Sequence, residues 1–192
     1  MIVLSIVTAT LNARSNIEQR FVDYGDLVFS NDIEWIIQDS AESVDNLSSL
    51  PHPDNVHIFH EHDTGIYSAL NRGIAKASGD WILVLGSDDK INILQLHSLI
   101  SQLKQVSLNT VVLLDYQLCF SSHDIKVSPP HLSRASFIRG MPISHQCIVS
   151  PRHLFLQKPF SLQYQYASDM DWLLHHFFED ISFTRLVSPT FY

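Results

Sequence analysis

Apolar residues recur at two periods along this chain. Between Ile66 and Ala77 they fall at Ile66, Ala69, Leu70, Ile74 and Ala77, the spacing of one helix face. Ser78-Gly79-Asp80 ends that helix. The next run, Trp81 to Leu85, is too short for another helix and reads as a central strand. Ile2 to Val7, Ile33 to Ile37, Val56 to Phe59 and Thr110 to Leu114 read as further strands. Ile17, Phe21, Tyr24 and Val28 predict a helix from about Asn16 to Phe29, with Ser15 and Glu18 spaced as a capping box. The polar stretch Ala41 to Pro53 is a short helix or loop. Leu94 to Lys104 is a helix, and Tyr116 to Ser128 a polar-edged hairpin. Pro129 to Pro142 is irregular. His145 to Val149 is expected as a strand, Arg152 to Phe155 as a short helix and Ser168 to Phe178 as a helix burying Trp172, Leu173 and Phe177. Ser182 to Val187 closes the series as a strand. Strands alternating with helices predict an α/β fold of three layers, α/β/α, around a mostly parallel sheet.

Size and charge narrow the function. A chain of 192 residues is expected to form one domain with a sizeable core. Its net charge of -8 lacks the basic footprint of a nucleic-acid binder and disfavours simple docking on anionic lipid. A phosphorylated ligand then needs a cation, local basic groups or a helix N-terminus. Cys119 and Cys147 form no disulfide framework and no Cys-x-x-Cys pair, and each is expected as a small buried apolar residue. The 11 histidines include no His-Glu-x-x-His and no i, i+4 metal pair. The first seven residues lack a basic start and cleavage site, and no apolar run approaches the roughly 20 residues that cross a bilayer, so a cytoplasmic protein is the default.

Several chemistries are excluded by missing motifs. No Gly-x-Gly-x-x-Gly follows the first strand, and neither a P-loop nor a Gly-x-Ser-x-Gly elbow occurs. What remains is a row of carboxylates where strands end: Asp39, Asp63, and Asp88 with Asp89. In an α/β sheet, ligands bind beyond the carboxyl ends of strands. Acids converging there repel one another unless a cation or hydrogen-bond donors compensate. Two adjacent acids after Gly86-Ser87 suit a metal shared with a phosphorylated ligand.

The chain resembles the family 2 inverting nucleotide-sugar glycosyltransferases of the GT-A fold, a Rossmann-like architecture. Leu4 to Asn12 is similar to that family's opening strand and loop, and Glu34 to Ser40 to its second strand and nucleobase-binding aspartate. Asp63 to Gly73 resembles its most recognisable helix start. Gly86-Ser87-Asp88-Asp89 is similar to its Asp-x-Asp metal motif. His145-Gln146 and Ala167 to Leu174 resemble its acceptor-side segments. The likeness covers roughly residues 2 to 178. One departure stands out: Ser40-Ala41-Glu42-Ser43 replaces the family's glycine-rich turn.

The resemblance implies a nucleotide-sugar donor, a UDP-sugar, with residues 1–115 as the donor half and 116–192 as the acceptor half. It implies Asp89 as ligand of a Mn²⁺ or Mg²⁺, with Asp88 sharing the metal or contacting the ribose. Asp39 would accept from the base, Thr8 and Thr10 would line that pocket, and Asp63, Asn71 and Arg72 would frame the diphosphate and sugar. Asp169 would be the catalytic base. Successive helical positions diverge by about 100°, so only one of Asp169 and Asp171 should face the site. His145 would shape the acceptor pocket, and Tyr67 is expected to pack. The acceptor would be a polysaccharide or lipid-linked oligosaccharide. Such an acceptor calls for peripheral contact with the inner face of a membrane, for which Phe177-Phe178 and the apolar C-terminal end offer surface if they do not pack the core. A sugar nucleotidyltransferase, weakly supported by Arg14, and a GT-A-like binding module without transfer stay open.

Overall fold

The computed structural model describes residues 1–24, 31–138, 140–179 and 181–191. The apolar runs of the first half form β1 (Leu4–Thr10), β2 (Ile33–Ser40), β3 (Val56–Glu61) and β4 (Trp81–Val84). They pair in parallel in the order β3-β2-β1-β4. Every residue of β2 and β4 is buried, which a parallel sheet covered on both faces requires. The carboxyl ends of all four strands therefore lie along one edge.

Three helices accompany these strands: α1 (Arg14–Tyr24), α2 (Ile66–Lys76) and α3 (Ile93–Leu103). The capping box expected at Ser15 does not form. The helix already starts at Arg14, and Glu18 pairs with Arg14 at 2.9 Å instead. The expected continuation of α1 to Phe29 lies outside the described residues. Helix α2 lays Ala69, Leu70, Gly73 and Ile74 on β1 and β2. A Cβ on Gly73 would stand 2.6 Å from Val7 Cγ1, so the helix sits on the sheet at glycine distance.

Register explains the buried polar contacts. Ser5 is the β1 partner of Glu34, and its hydroxyl donates to Glu34 Oε1 at 2.5 Å. The same oxygen accepts from the Ser78 and Gly79 amides at 2.5 and 3.2 Å, fastening the turn before β4. Buried polar atoms need such partners.

The second half adds β5 (Thr110–Cys119), β6 (Asp124–Val127), β7 (Ile148–Pro151) and β8 (Ser182–Phe191). β7 lies between β4 and β5, antiparallel to both, while β8 runs parallel to β5. The sheet is thus parallel around β1 and mixed beyond β4. β5 and β6 form the expected hairpin. Cys147 is buried as expected but Cys119 is exposed, because β5 runs past the core into that hairpin. The strand expected from His145 starts only at Ile148. His145–Cys147 is a 3₁₀ turn, closed by the Cys147 amide donating to Ser144 O at 3.0 Å.

Helices α4 (Arg152–Gln157) and α5 (Ser168–Phe178) pack through aromatic rings. Trp172 stacks on Phe155 with centroids 4.3 Å apart. Phe177 lies against Phe137 at 5.2 Å, whereas Phe178 is exposed. Among the described residues, no helix is long and apolar enough to cross a membrane.

Candidate active site

The strand ends deliver the predicted acids to one edge, but to different depths. Asp39 is fully buried. Its register partners are Thr10 on β1 and His60 on β3, and both reach it: Thr10 Oγ1 donates to Oδ1 at 2.9 Å and His60 Nδ1 to Oδ2 at 2.8 Å. The Leu47 amide adds a third bond at 3.3 Å. A nucleobase reaches this carboxylate only if His60 or the Leu47 segment moves aside, so Asp39 holds the pocket floor rather than lining it. Thr8 is a second correction. It is fully buried and accepts from the Trp35 indole at 2.9 Å, a bond that serves the core. Above this floor is a hollow of ≈ 200 Å³ lined by Thr10, Ser40, Asp63, Gly65 and Ile66.

Asp63 shapes that hollow. Its Oδ1 accepts from the Gly65 amide at 2.8 Å, and Gly65 takes φ 123°, a conformation open to glycine and rarely to other residues. α2 starts there. Asn71 does not frame a donor. Its amide is spent both ways on the Phe160 backbone, at 2.8 and 2.9 Å. Arg72 is exposed and only loosely paired with Glu61, at 3.7 Å. Such a pair is weak and leaves the guanidinium free to turn.

Asp88 and Asp89 follow β4. Asp88 is exposed, and both line a cleft of ≈ 540 Å³ together with Lys90, Tyr116, Ser144 and Gln146. The Gly86 amide donates to Asp89 Oδ2 at 2.8 Å and folds the loop back on itself. Burial pushes the Asp89 carboxyl above its ordinary value and the neighbouring Asp88 charge adds to this, against the Gly86 amide, Gln146 and His145. Helix α1 supports the loop from below: Arg20 Nη1 lies 3.5 Å from Asp89 O, and Tyr24 Oη accepts from the Ile91 amide at 3.1 Å.

Two oxygen-donor side chains, one exposed and one partly desolvated, fit a hard divalent cation, which takes one or two carboxylates and completes its shell with phosphate oxygens and water. Among the described residues no group of three or more His, Cys, Asp or Glu side chains forms a self-sufficient cage. A cation here would therefore be shared with a ligand.

Asp169 opens α5, and Ala167 before it adopts a left-handed conformation, φ 68°. Its Oδ2 lies 3.0 Å from His145 Nδ1; an ionised carboxylate only accepts, so that nitrogen carries the proton. Oδ1 accepts from Tyr67 Oη at 3.1 Å and from the Met170 amide at 2.9 Å. Burial alone would raise the Asp169 carboxyl. The bonds from His145, Met170 and Tyr67 outweigh it and hold the group below the usual carboxylate range. Asp171 turns away as helical geometry requires, 3.5 Å from Lys158.

Sequence reasoning missed three residues. Tyr67 bonds Asp169, although it was expected only to pack. Gln146 sits between Ser144 and Asp89. Arg20 is a buried cation beneath the acidic loop. Tyr67 and Gln146 stood inside the segments that carried the resemblance, whereas Arg20 looked like any polar residue of a surface helix.

Known structures share this fold. The crystal structure of S. aureus TarS residues 1–349 superposes with a TM-score of 0.75 at 17% identity, covering 100% of this chain and 60% of that one. Crystal structures of the same TarS fragment in complex with UDP and with UDP-GlcNAc give TM-scores of 0.69 and 0.63, at 15% and 14% identity. The UDP complex is covered to 60% of its length and the UDP-GlcNAc complex to 59%, with 100% and 98% of this chain matched. The chain thus spans about three fifths of those structures. No curated protein matches it. A family model described as glycosyl transferase family 2 matches residues 5–143, most of the chain, and with its mixed α/β sheet and acid-lined strand edge the chain belongs to that family.

Proposed function

We propose that this chain transfers a sugar from a UDP-sugar to a glycan or lipid-linked acceptor, with inversion at the anomeric carbon. One observation carries the reading: the His145-Gln146 turn touches both chemical halves. His145 holds Asp169, and Gln146 lines the same cleft as Asp88 and Asp89. The acids that would serve the donor and the carboxylate that would act as base thus sit on either side of one short turn.

In this reading Asp169 accepts the proton of the acceptor hydroxyl as that oxygen attacks the anomeric carbon and the bond from that carbon to the diphosphate breaks. A single carboxylate suffices, unlike the paired acids of a glycoside hydrolase. Its lowered pKa keeps it ionised at neutral pH, while His145 and Tyr67 fix the direction of its oxygens. Asp88 and Asp89 would hold a Mn²⁺ or Mg²⁺, which supplies charge neutralisation to the departing diphosphate. The hollow above Asp39 would take the base, with Thr10 and Ser40 at its wall, and Asp63 and Arg72 would face the ribose and phosphates. The TarS structures bound to UDP and UDP-GlcNAc support the choice of nucleotide by fold alone. We place the activity in the cytoplasm, where nucleotide sugars are made, with contact to the membrane face when the acceptor is lipid-linked.

Calorimetric titration of the chain with UDP and Mn²⁺ is the test. Saturable binding that needs the metal and is lost in Asp89→Ala is expected. Metal-independent binding, or none, would sink the donor-site reading.

A further inference from the structure

A second concavity, ≈ 450 Å³, opens beside the candidate base and takes no part in the donor chemistry above. One wall is the start of α2, from Thr64 to Ser68; the other is the segment Leu162 to Tyr166. Tyr67 joins the groove to the chemistry, because it lines the wall and its hydroxyl donates to Asp169 Oδ1 at 3.1 Å. Gly65 and Ile66 line both this groove and the hollow above Asp39, so the two share a rim.

The opposite wall is built to stay in place while presenting rings to solvent. Phe160 anchors its start through the two Asn71 bonds and through its ring contacts with Tyr67 and Phe155, both at 5.3 Å. From Leu162 the chain runs exposed to Ala167 and then enters α5 at Ser168. Tyr164 is 46% exposed, Tyr166 78% and Leu162 62%. Three exposed large side chains within five residues are costly unless something covers them. Gln163 and Gln165 alternate with them and bring amide donors and acceptors.

The groove's lining includes no charged side chain. Asp63 adjoins its rim and Asp169 lies behind Tyr67, and the chain carries a net charge of -8. Both features disfavour a polyanionic ligand. A pyranose matches the remainder: its C–H face is apolar and suits a tyrosine ring, and its equatorial hydroxyls suit glutamine amides. We infer that the groove between the α2 start and the Leu162–Tyr166 segment is an acceptor site for an uncharged glycan, held on Tyr164 and Tyr166 so that its terminal hydroxyl meets Asp169. The inference rests on the transferase reading for the role of Asp169, but the binding itself does not depend on the donor site.

The test is saturation-transfer NMR on the full chain with chito-, cello- and mannotetraose, and with a hyaluronan tetrasaccharide as anionic control. Saturable binding of at least one neutral tetrasaccharide is expected, with none of the control. The double variant Tyr164→Ala/Tyr166→Ala should weaken that binding at least tenfold, and Tyr164→Phe/Tyr166→Phe should restore it to within threefold of wild type, since the ring and not the hydroxyl makes the contact. Melting temperatures of the variants check that exposed substitutions leave the fold intact. Binding of none of the neutral probes, preference for hyaluronan, or equal affinity in the alanine variant each overturns the acceptor site. Failure of the UDP titration alone would instead overturn the donor reading, and the two failures are read on different ligands.

Discussion

Asp169 is the residue on which the proposed chemistry turns. Its carboxyl sits below the ordinary range because three donors outweigh its burial. A base must be ionised, so the rate rises with pH through this pKa and then stays flat. The acid limb of kcat/KM should lie below the usual carboxylate range, and His145→Ala should move it upward by removing the first of those donors. A pH–rate profile of the two proteins checks this; identical acid limbs would separate His145 from the base. Asp169→Asn keeps the shape and loses the proton acceptor, and should lower kcat by about 10²–10⁴, the usual contribution of a positioned base. The same depression has a stability consequence. The interaction is fully present above the unfolded-state pKa and is lost as pH falls through the lower folded value.

The elements are held in register by buried polar contacts as much as by the core. Gly79 is the clearest case. A Cβ there would stand 2.6 Å from Ser5 Oγ and 2.8 Å from the Ser5 amide, in the turn that Glu34 fastens. Backbone cannot retreat as a flexible side chain can, so Gly79→Ala should cost about 1–3 kcal/mol in urea unfolding, the range for overpacking a tight site. A change under about 0.5 kcal/mol would mean the turn relaxes freely. On the far side of the sheet, Asp115 of β5 accepts two bonds from Arg185 of β8, at 2.8 and 3.0 Å. Burial raises the Asp115 carboxyl, but Arg185, helped by Lys126 and Ser128, brings it below its usual value. Its contribution is therefore complete above the unfolded-state pKa and fades as pH falls through the folded one. Asp115→Asn should flatten the acid end of the stability–pH curve; unchanged curvature would assign that end to other groups.

Across the whole molecule one apolar cluster runs from Leu4 and Trp35 through Leu83 to Val149 and Trp172. It runs through residues 1–115 and 116–192 without a break. A shared core predicts a single cooperative unfolding transition, with calorimetric and van't Hoff enthalpies equal. Two resolved transitions would show instead that residues 1–115 and 116–192 fold apart. The continuous sheet also explains how the turn that holds the candidate base reaches the acid-lined edge. β7 lies beside β4, so the 3₁₀ turn just before β7 arrives next to the Asp88-Asp89 loop that follows β4.

Local pattern was enough for the alternation of strands and helices, the parallel first half and the row of acids at strand ends, because burial on two faces and helical periodicity are written in neighbouring residues. Asp88, Asp89 and Asp169 were singled out as candidates from short segments, the first two by their place at a strand end and the last through the family resemblance. Depth was not legible. Thr8 and Asp39 look like pocket residues in a loop, yet parallel pairing sets Thr10 and His60 on either side of Asp39 and closes it off. Asn71 looks like a ligand contact until Phe160, 89 residues away, takes both ends of its amide. Tyr67 and Asp169 meet across 102 residues. Which polar groups consume one another and which face solvent depends on contacts distant in sequence, and those form only when the sheet is assembled.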